Sequence, residues 1–160
     1  MKVSALEEYG IRCMVLLARQ DGGSLTLPEI SEAEGLSISY AGKLLNILKK
    51  ASLVKSVRGR LGGYGLAVPP ENLPLNKIFE ALGEPLYTPK RHCNQYTGEK
   101  EECVHTQDCT VRGMWRGFSK IISGVLGKLT LKDLASGEYD FDTICKNTME
   151  NNISDRQRLS

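Results

Sequence analysis

Apolar residues recur at helical spacing near the start of the chain, and they predict a first helix from about Ala5 to Arg19. Ser4 directly precedes this helix and is one of the favoured N-cap residues. Glu7 and Glu8 fall in the first turn, where acidic side chains interact favourably with the helix dipole. Cys13 lies on the apolar stripe, so we expect its thiol to be buried in the core.

Two shorter patterns follow the first helix. Thr26 and Pro28 are typical of a helix start, and Gly35 marks the end of that short helix. A second amphipathic helix begins between Ser37 and Tyr40, with leucines on one face and lysines on the other. Two short helices joined by a glycine turn predict a helix-turn-helix.

The stretch from Leu53 to Ala67 predicts a short β-hairpin. Val54 and Val57 give the first strand, a glycine-rich loop that tolerates positive φ follows, and the chain returns through Tyr64. The glycines match neither G-x-G-x-x-G nor the P-loop, which excludes a nucleotide-binding loop of those kinds. A hairpin directly after a helix-turn-helix predicts a wing, and a purely structural hairpin is the alternative.

The second half of the chain predicts a long helix from Thr110 to about Lys128, whose apolar stripe packs on a symmetry mate. The fold class is therefore mainly α with a small β-hairpin wing: a winged helix-turn-helix domain plus a long dimerisation helix. The predicted units are that domain over residues 1–70, a linker and short helix over 71–90, a cysteine-rich loop over 91–110, the dimerisation helix over 111–135 and a disordered polar tail over 146–160.

Charge is distributed unevenly, although the formal net charge is only +2. From Gly35 to Pro70 there is no Asp or Glu, whereas lysines and arginines are frequent. A local cationic face of this kind suits a polyanion, and a winged helix-turn-helix suits double-stranded DNA. The predicted DNA-binding residues are Ser39, Tyr40, Lys43, Lys49, Arg58, Arg60, Gly62, Gly63 and Tyr64.

Three of the five cysteines lie within one polar stretch, as Cys93, Cys103 and Cys109. Thiolates are soft ligands, and three of them on one loop can bind zinc or an iron–sulfur cluster. The C-x9-C-x5-C spacing lacks the C-x2-C pair of most zinc fingers and so favours a cluster. His92 and His105 flank the cysteines and could complete a zinc site instead. Three reduced, unligated surface thiols are the simplest alternative.

The remaining features of the sequence indicate a cytoplasmic protein with reduced thiols. The cysteine count is odd, the chain opens without the apolar segment of a secretion signal, and no apolar run approaches the length of a membrane span. No acid-oriented Cys-His arrangement accompanies the cysteine loop, so we do not expect an enzyme.

Three segments together resemble the IscR/NsrR family of bacterial iron–sulfur transcription regulators over about residues 1 to 135. They are MKVSALEEYGIRCMVLLA, SVRGRLGGYGLAV and the cysteine loop that runs into a Trp-containing helix. The resemblance implies a homodimeric DNA-binding regulator that holds a 2Fe-2S or 4Fe-4S cluster on the three cysteines. Such proteins sense redox state, nitric oxide or iron–sulfur status.

The resemblance also bears on the fourth ligand. Members that complete the site within one chain place a histidine three residues after the third cysteine, where this chain has Arg112, which cannot ligate. In nitric-oxide and redox-sensing members a carboxylate on the first helix of the other subunit ligates the cluster, and it matches Glu8 here. We therefore expect Glu8 of the partner subunit, ahead of His105 and His92. The alternatives to cluster sensing are a winged-helix regulator with a structural zinc and a cluster-free thiol/disulfide switch.

Overall fold

A computed structural model describes the fold for residues 3–58, 62–83, 88, 93–105 and 108–157. It is mainly helical with one two-stranded antiparallel hairpin, which confirms the predicted fold class. In chain order the elements are α1 (Ala5–Ala18), α2 (Leu27–Glu34), α3 (Ile38–Lys50), β1 (Val54–Val57), β2 (Gly63–Leu66), a 3-10 turn (Pro70–Asn72), α4 (Leu75–Leu82), α5 (Thr110–Lys128), α6 (Leu131–Ser136) and α7 (Phe141–Gln157).

The first helix is fixed at its start by a capping box. The Ser4 hydroxyl accepts the Glu7 backbone N–H at 3.2 Å, and the Glu7 carboxylate accepts the Ser4 N–H at 2.8 Å. The helix ends at Ala18, one residue before the predicted end. Cys13 is fully buried, as predicted.

A single apolar core joins α1 to the elements around it. Its fully buried side chains come from α1, α2, α3, α4, β1 and α6, and they are Cys13, Met14, Ile30, Leu44, Leu45, Leu48, Ile78 and Leu131, with Leu17 and Val54 nearly so. The chain beyond α5 also returns to this core through backbone hydrogen bonds. Leu75 donates to the Leu129 carbonyl at 2.8 Å, and Leu131 donates to the Leu73 carbonyl at 2.8 Å.

The wing pairs Val54 with Leu66 and Val57 with Gly63. The turn before α2 joins it, because Leu25 and Tyr64 exchange backbone hydrogen bonds at 2.8 and 3.0 Å. An added Cβ on Gly63 would lie 2.9 Å from the Leu25 carbonyl oxygen. Gly63 is therefore required for close backbone approach, whereas the loop's predicted use of positive φ applies to Gly62, at +53°.

The C-terminal segment differs from the prediction. The tail expected to be disordered from residue 146 is helical as far as Gln157. Asp140 begins this helix by accepting the Thr143 N–H at 3.1 Å, and Thr148 packs against α5 so closely that a Cβ on Gly124 would lie 2.9 Å from it. Local polarity suggested disorder, but a capped start and one face packed on α5 stabilise the helix. None of the helices in the described ranges has the length and apolarity to cross a membrane.

The close approach at Gly63 gives a testable prediction. Gly63→Ala places a methyl group against a backbone oxygen, which cannot rotate away, so we expect a loss of about 1–3 kcal/mol in the free energy of unfolding. Gly127→Ala is the control, because Gly127 lies in α5 and an added Cβ there comes no closer than 3.8 Å to the Asn76 side chain. Alanine at this helical position should be neutral or increase the free energy of unfolding by up to about 1 kcal/mol. Urea unfolding of both variants measures the difference. Equal stabilities for the two would contradict the assigned role of Gly63.

Candidate DNA-binding face and cysteine site

The second helix of the helix-turn-helix is α3, and its start is held by Ser37, whose hydroxyl accepts the Tyr40 N–H at 3.2 Å. Apolar side chains on one face of α3 are buried in the core. Ser39, Lys43 and Lys49 are exposed, as a nucleic-acid contact requires. Tyr40 is half-buried, and its ring meets the Tyr9 ring edge-on at 6.1 Å between centroids.

The wing is fastened to α3 by a side-chain hydrogen bond. Lys49 Nζ donates to the Ser56 hydroxyl of β1 at 2.8 Å, so a lysine predicted to contact DNA also contacts the hairpin. Arg58 and Gly62 are exposed near the tip, whereas Gly63 and Tyr64 are half-buried beside the Leu25 backbone. Arg60 lies outside the described residues.

The three clustered cysteines occupy different local structures. Cys93 lies in a short helical stretch, Cys103 lies in irregular chain, and Cys109 is the N-cap of α5. All three are free and half-exposed. The Cys109 sulfur accepts the Arg112 backbone N–H at 3.3 Å, which directs it towards the positive end of the helix dipole, a favourable place for an anionic ligand.

The predicted metal donors do not form a closed site in the single chain. In the part of the chain that the structure describes, no three His, Cys, Asp or Glu side chains approach closely enough to hold a metal ion. His105 is exposed and its backbone carbonyl accepts a hydrogen bond from Arg112 at 3.0 Å, while His92 is outside the described residues. The donor set itself fits zinc or an iron–sulfur cluster, because three thiols are soft ligands and each remains accessible.

Glu8 is engaged in an ion pair on its own helix. Its carboxylate contacts Arg12 Nη2 at 2.7 Å and Nε at 2.8 Å, and the two side chains are 51% and 53% exposed. This carboxylate raises the pKa of Arg12 above its ordinary value through the hydrogen bond and the opposite charge. The Arg12 guanidinium also lies 5.4 Å from the centre of the Tyr9 ring. Arg12 is not among the residues predicted from the sequence, although a Glu-Arg spacing of four residues is the signal of such a pair.

The sequence as a whole matches a known family of regulators. The model of the Rrf2 family, described as an iron-dependent transcriptional regulator, matches residues 3–137. The chain belongs to the Rrf2 family.

Individual Rrf2 relatives agree with this assignment. The transcriptional regulator IscR of Aliivibrio salmonicida is 33% identical over 135 residues, which are 84% of this chain and 77% of the relative. The structure of T. potens IscR has a TM-score of 0.68 at 31% identity, with 87% and 89% of the two chains covered. CymR, the global cysteine regulator of B. subtilis, also has a TM-score of 0.68, at 29% identity and 87% and 99% coverage.

This Rrf2 protein is therefore a DNA-binding transcriptional regulator and not an enzyme, as the sequence predicted. Its α7 helix lies beyond the residues that the family model matches.

An apolar stripe is exposed on the N-terminal half of α5. Its residues Val111, Met114 and Phe118 are between 47% and 55% exposed. Single exposed apolar residues are ordinary, but three at helical spacing on one face form a surface suited to a protein partner.

The environments of the cysteines predict a difference in reactivity. Burial raises the pKa of the Cys13 thiol to about 12, whereas the three clustered thiols are half-exposed. Since the thiolate is the reactive form, native metal-free protein at neutral pH should be alkylated by iodoacetamide at Cys93, Cys103 and Cys109 while Cys13 remains unmodified. Peptide mass spectrometry measures this, with urea-unfolded protein as the control in which Cys13 reacts. Alkylation of native Cys13 at the rate of the three clustered cysteines would contradict its burial.

Proposed function

We propose that this Rrf2 protein is a transcriptional regulator whose affinity for its operator is controlled by an iron–sulfur cluster bound to Cys93, Cys103 and Cys109. The observation that carries the proposal is the placement of three accessible, unpaired thiols on the segment that leads into α5, with the Cys109 sulfur capping that helix. Reduced thiols gathered on a polar segment have no packing role, because none of them is buried in the core.

The chemistry of the site gives the proposed regulator its sensitivity. A bound cluster would supply a centre that responds to redox state, nitric oxide or iron supply. The three cysteines that would hold it belong to a single segment, and the fourth ligand is proposed to come from the partner subunit, ahead of the histidines of that segment. Zinc on the same cysteines is the structural alternative, in which the site would stabilise the fold without sensing.

A second copy of the chain is the proposed dimer partner. The exposed stripe of Val111, Met114 and Phe118 continues towards the half-buried Ile121 and Ile122 on α5, which gives one long apolar face. A twofold dimer pairs this face with itself, and it presents two α3 helices to successive major grooves of one duplex. Arg58 of each wing then meets the phosphate backbone beside the groove.

Glu8 of the partner subunit is the proposed fourth ligand, and Arg12 is its competitor. A carboxylate held by a guanidinium has to leave that pair before it can bind a metal. The pair is exposed on the surface of α1, where such interactions are weak, so the exchange is accessible. Arg12 lies over the Tyr9 ring, and Tyr9 meets Tyr40 of α3 edge-on. The exchanging carboxylate is therefore connected to the helix proposed to read DNA through Arg12 and Tyr9.

A second candidate function is a cluster-free thiol switch. Its support is the likeness to CymR structures, including the oxidized form from Staphylococcus aureus, with a TM-score of 0.65 at 31% identity. In this case a disulfide among the three clustered cysteines would replace the cluster as the controlling bond. The two candidates share the cysteines and differ in whether the protein contains iron and sulfide.

The test of the function begins with protein purified without oxygen. We expect a coloured protein with iron and sulfide on each chain, and it should select preferred duplexes from a random-sequence pool. Removal of the metal with a chelator should change the affinity for those duplexes by about 5- to 150-fold, the usual range of allosteric coupling. The absorption spectrum, metal and sulfide assays and a binding titration measure these quantities.

The controls separate DNA contact from sensing. Arg58→Ala should weaken binding to every duplex and reduce the salt slope by about 1, with no change in the spectrum. A colourless protein that retains zinc in air would favour the structural-zinc alternative, and an iron-free protein whose binding changes on oxidation would favour the thiol switch. Equal duplex binding with and without metal or oxidant would refute control at these cysteines.

The exchange at Glu8 gives a separate prediction. Glu8→Ala should leave the protein folded but alter the visible spectrum or shorten the lifetime of the cluster in air, because a ligand is lost. Arg12→Ala should act in the opposite direction, lengthening the lifetime by about twofold, because Glu8 loses a weak competitor. Glu32→Ala, at an exposed acid on α2, is the control and should match the wild type. An unchanged spectrum and lifetime in Glu8→Ala would assign the fourth ligand elsewhere.

A further inference from the structure

Arg112 contacts the cysteine segment at two separate points. Its guanidinium Nη2 donates to the His105 carbonyl at 3.0 Å, and its backbone N–H donates to the Cys109 sulfur at 3.3 Å. Arg112 is half-buried, whereas its hydrogen bond to the His105 carbonyl is exposed to solvent. One residue in the first turn of α5 therefore contacts the last interval between cysteines at two points, once within it and once at its end.

The contact with His105 restricts where Cys103 can lie. Between Cys103 and Cys109 an extended chain could span about 20 Å, far more than a shared metal site allows. Cys103 is only two residues from His105, so the chain itself limits the distance between their α-carbons to about 7 Å. Because the hydrogen bond holds the His105 carbonyl beside Arg112, Cys103 is confined to that distance from a point on the first turn of α5. The hydrogen bond between Arg112 and the His105 carbonyl thus reduces the number of conformations that the cysteine segment samples before it binds a metal.

The charge of Arg112 is unusual for its position. Arg112 lies in the first turn of α5, where a cation interacts unfavourably with the positive end of the helix dipole. Three thiolates carry more negative charge than a divalent metal centre carries positive charge, so a loaded site next to Arg112 is anionic. A guanidinium remains protonated at all accessible pH values and cannot ligate a metal, so it can balance this charge only from outside the coordination shell.

We infer that Arg112 is a positioning residue for the cysteine site, which holds the His105 carbonyl so that Cys103 stays near Cys109 and which balances the charge of the thiolates. This inference rests on the proposed function, because the site it serves is the one proposed there. The residue that stands where a ligating histidine is expected thus organises the site without binding the metal.

The experiment compares Arg112→Gln and Arg112→Lys with Arg116→Gln, which removes an exposed arginine one turn further along α5. In metal-free protein, hydrogen exchange of the 103–109 segment should accelerate in Arg112→Gln, because the carbonyl contact is lost. Titration with Co²⁺, followed through its thiolate absorption bands, should show an affinity about 10- to 100-fold lower. Arg112→Lys retains the positive charge but lacks the planar guanidinium, so its Co²⁺ affinity should lie between those of Arg112→Gln and the wild type. Arg116→Gln should match the wild type in both measurements.

Two results would overturn the inference: unchanged exchange and Co²⁺ affinity in Arg112→Gln, or equal losses in Arg112→Gln and Arg116→Gln. Far-UV circular dichroism confirms that α5 remains helical in each variant. Failure of the wild type to bind Co²⁺ or iron would count against the proposed function alone. The exchange of the metal-free segment would still decide whether Arg112 holds it.

Discussion

Burial of one face of α1 is the interaction on which the other elements depend. Cys13, Met14 and Leu17 have almost no exposed surface, and the helix packs against α2, α3, α4, α6 and the second strand of the wing. Close-packed interiors transmit displacement, because side chains have few voids to move into. The helix-turn-helix, the wing and the chain beyond α5 are therefore all positioned by one fourteen-residue helix.

The opposite face of α1 carries the polar groups to which the proposed regulation is assigned. Glu8 and Arg12 pair at its surface, Arg12 lies over Tyr9, and Tyr9 meets Tyr40 near the start of α3. A shift of α1 cannot occur without repacking against α3, because the two helices share the core and this ring contact. The same helix therefore exposes a carboxylate on one face and packs on another against α3, the helix proposed to contact DNA.

The long helix α5 joins the cysteine segment to the helical core. At its N-terminus the Cys109 sulfur and Arg112 fix the end of the cysteine segment. At its C-terminus, backbone hydrogen bonds around Leu129 and Leu131 attach it to the chain before α4 and so to the core. A helix is stiff over this length, so the orientation of the cysteine segment relative to the wing domain depends on how both ends of α5 are held.

The sequence by itself determined the features that local signals encode. Capping residues and apolar periodicity located α1, α2 and α3, the alternation around the glycine loop located the wing, and the spacing of three cysteines with the conspicuous absence of acids from Gly35 to Pro70 indicated the two candidate sites. These signals act over a few residues, so they can be read without knowledge of the rest of the chain. They also carried the resemblance to the family to which the chain belongs.

Only the tertiary structure decided which distant groups meet. Gly63 is needed because the Leu25 backbone crosses it, Thr148 of α7 packs closely against Gly124 of α5, and Arg112 holds a carbonyl seven residues earlier in the chain. The polar composition of the last segment gave no indication of a surface on α5 that would order it. Such contacts depend on the relative positions of elements far apart in sequence, and the periodicity of one segment contains no information about where another will pack.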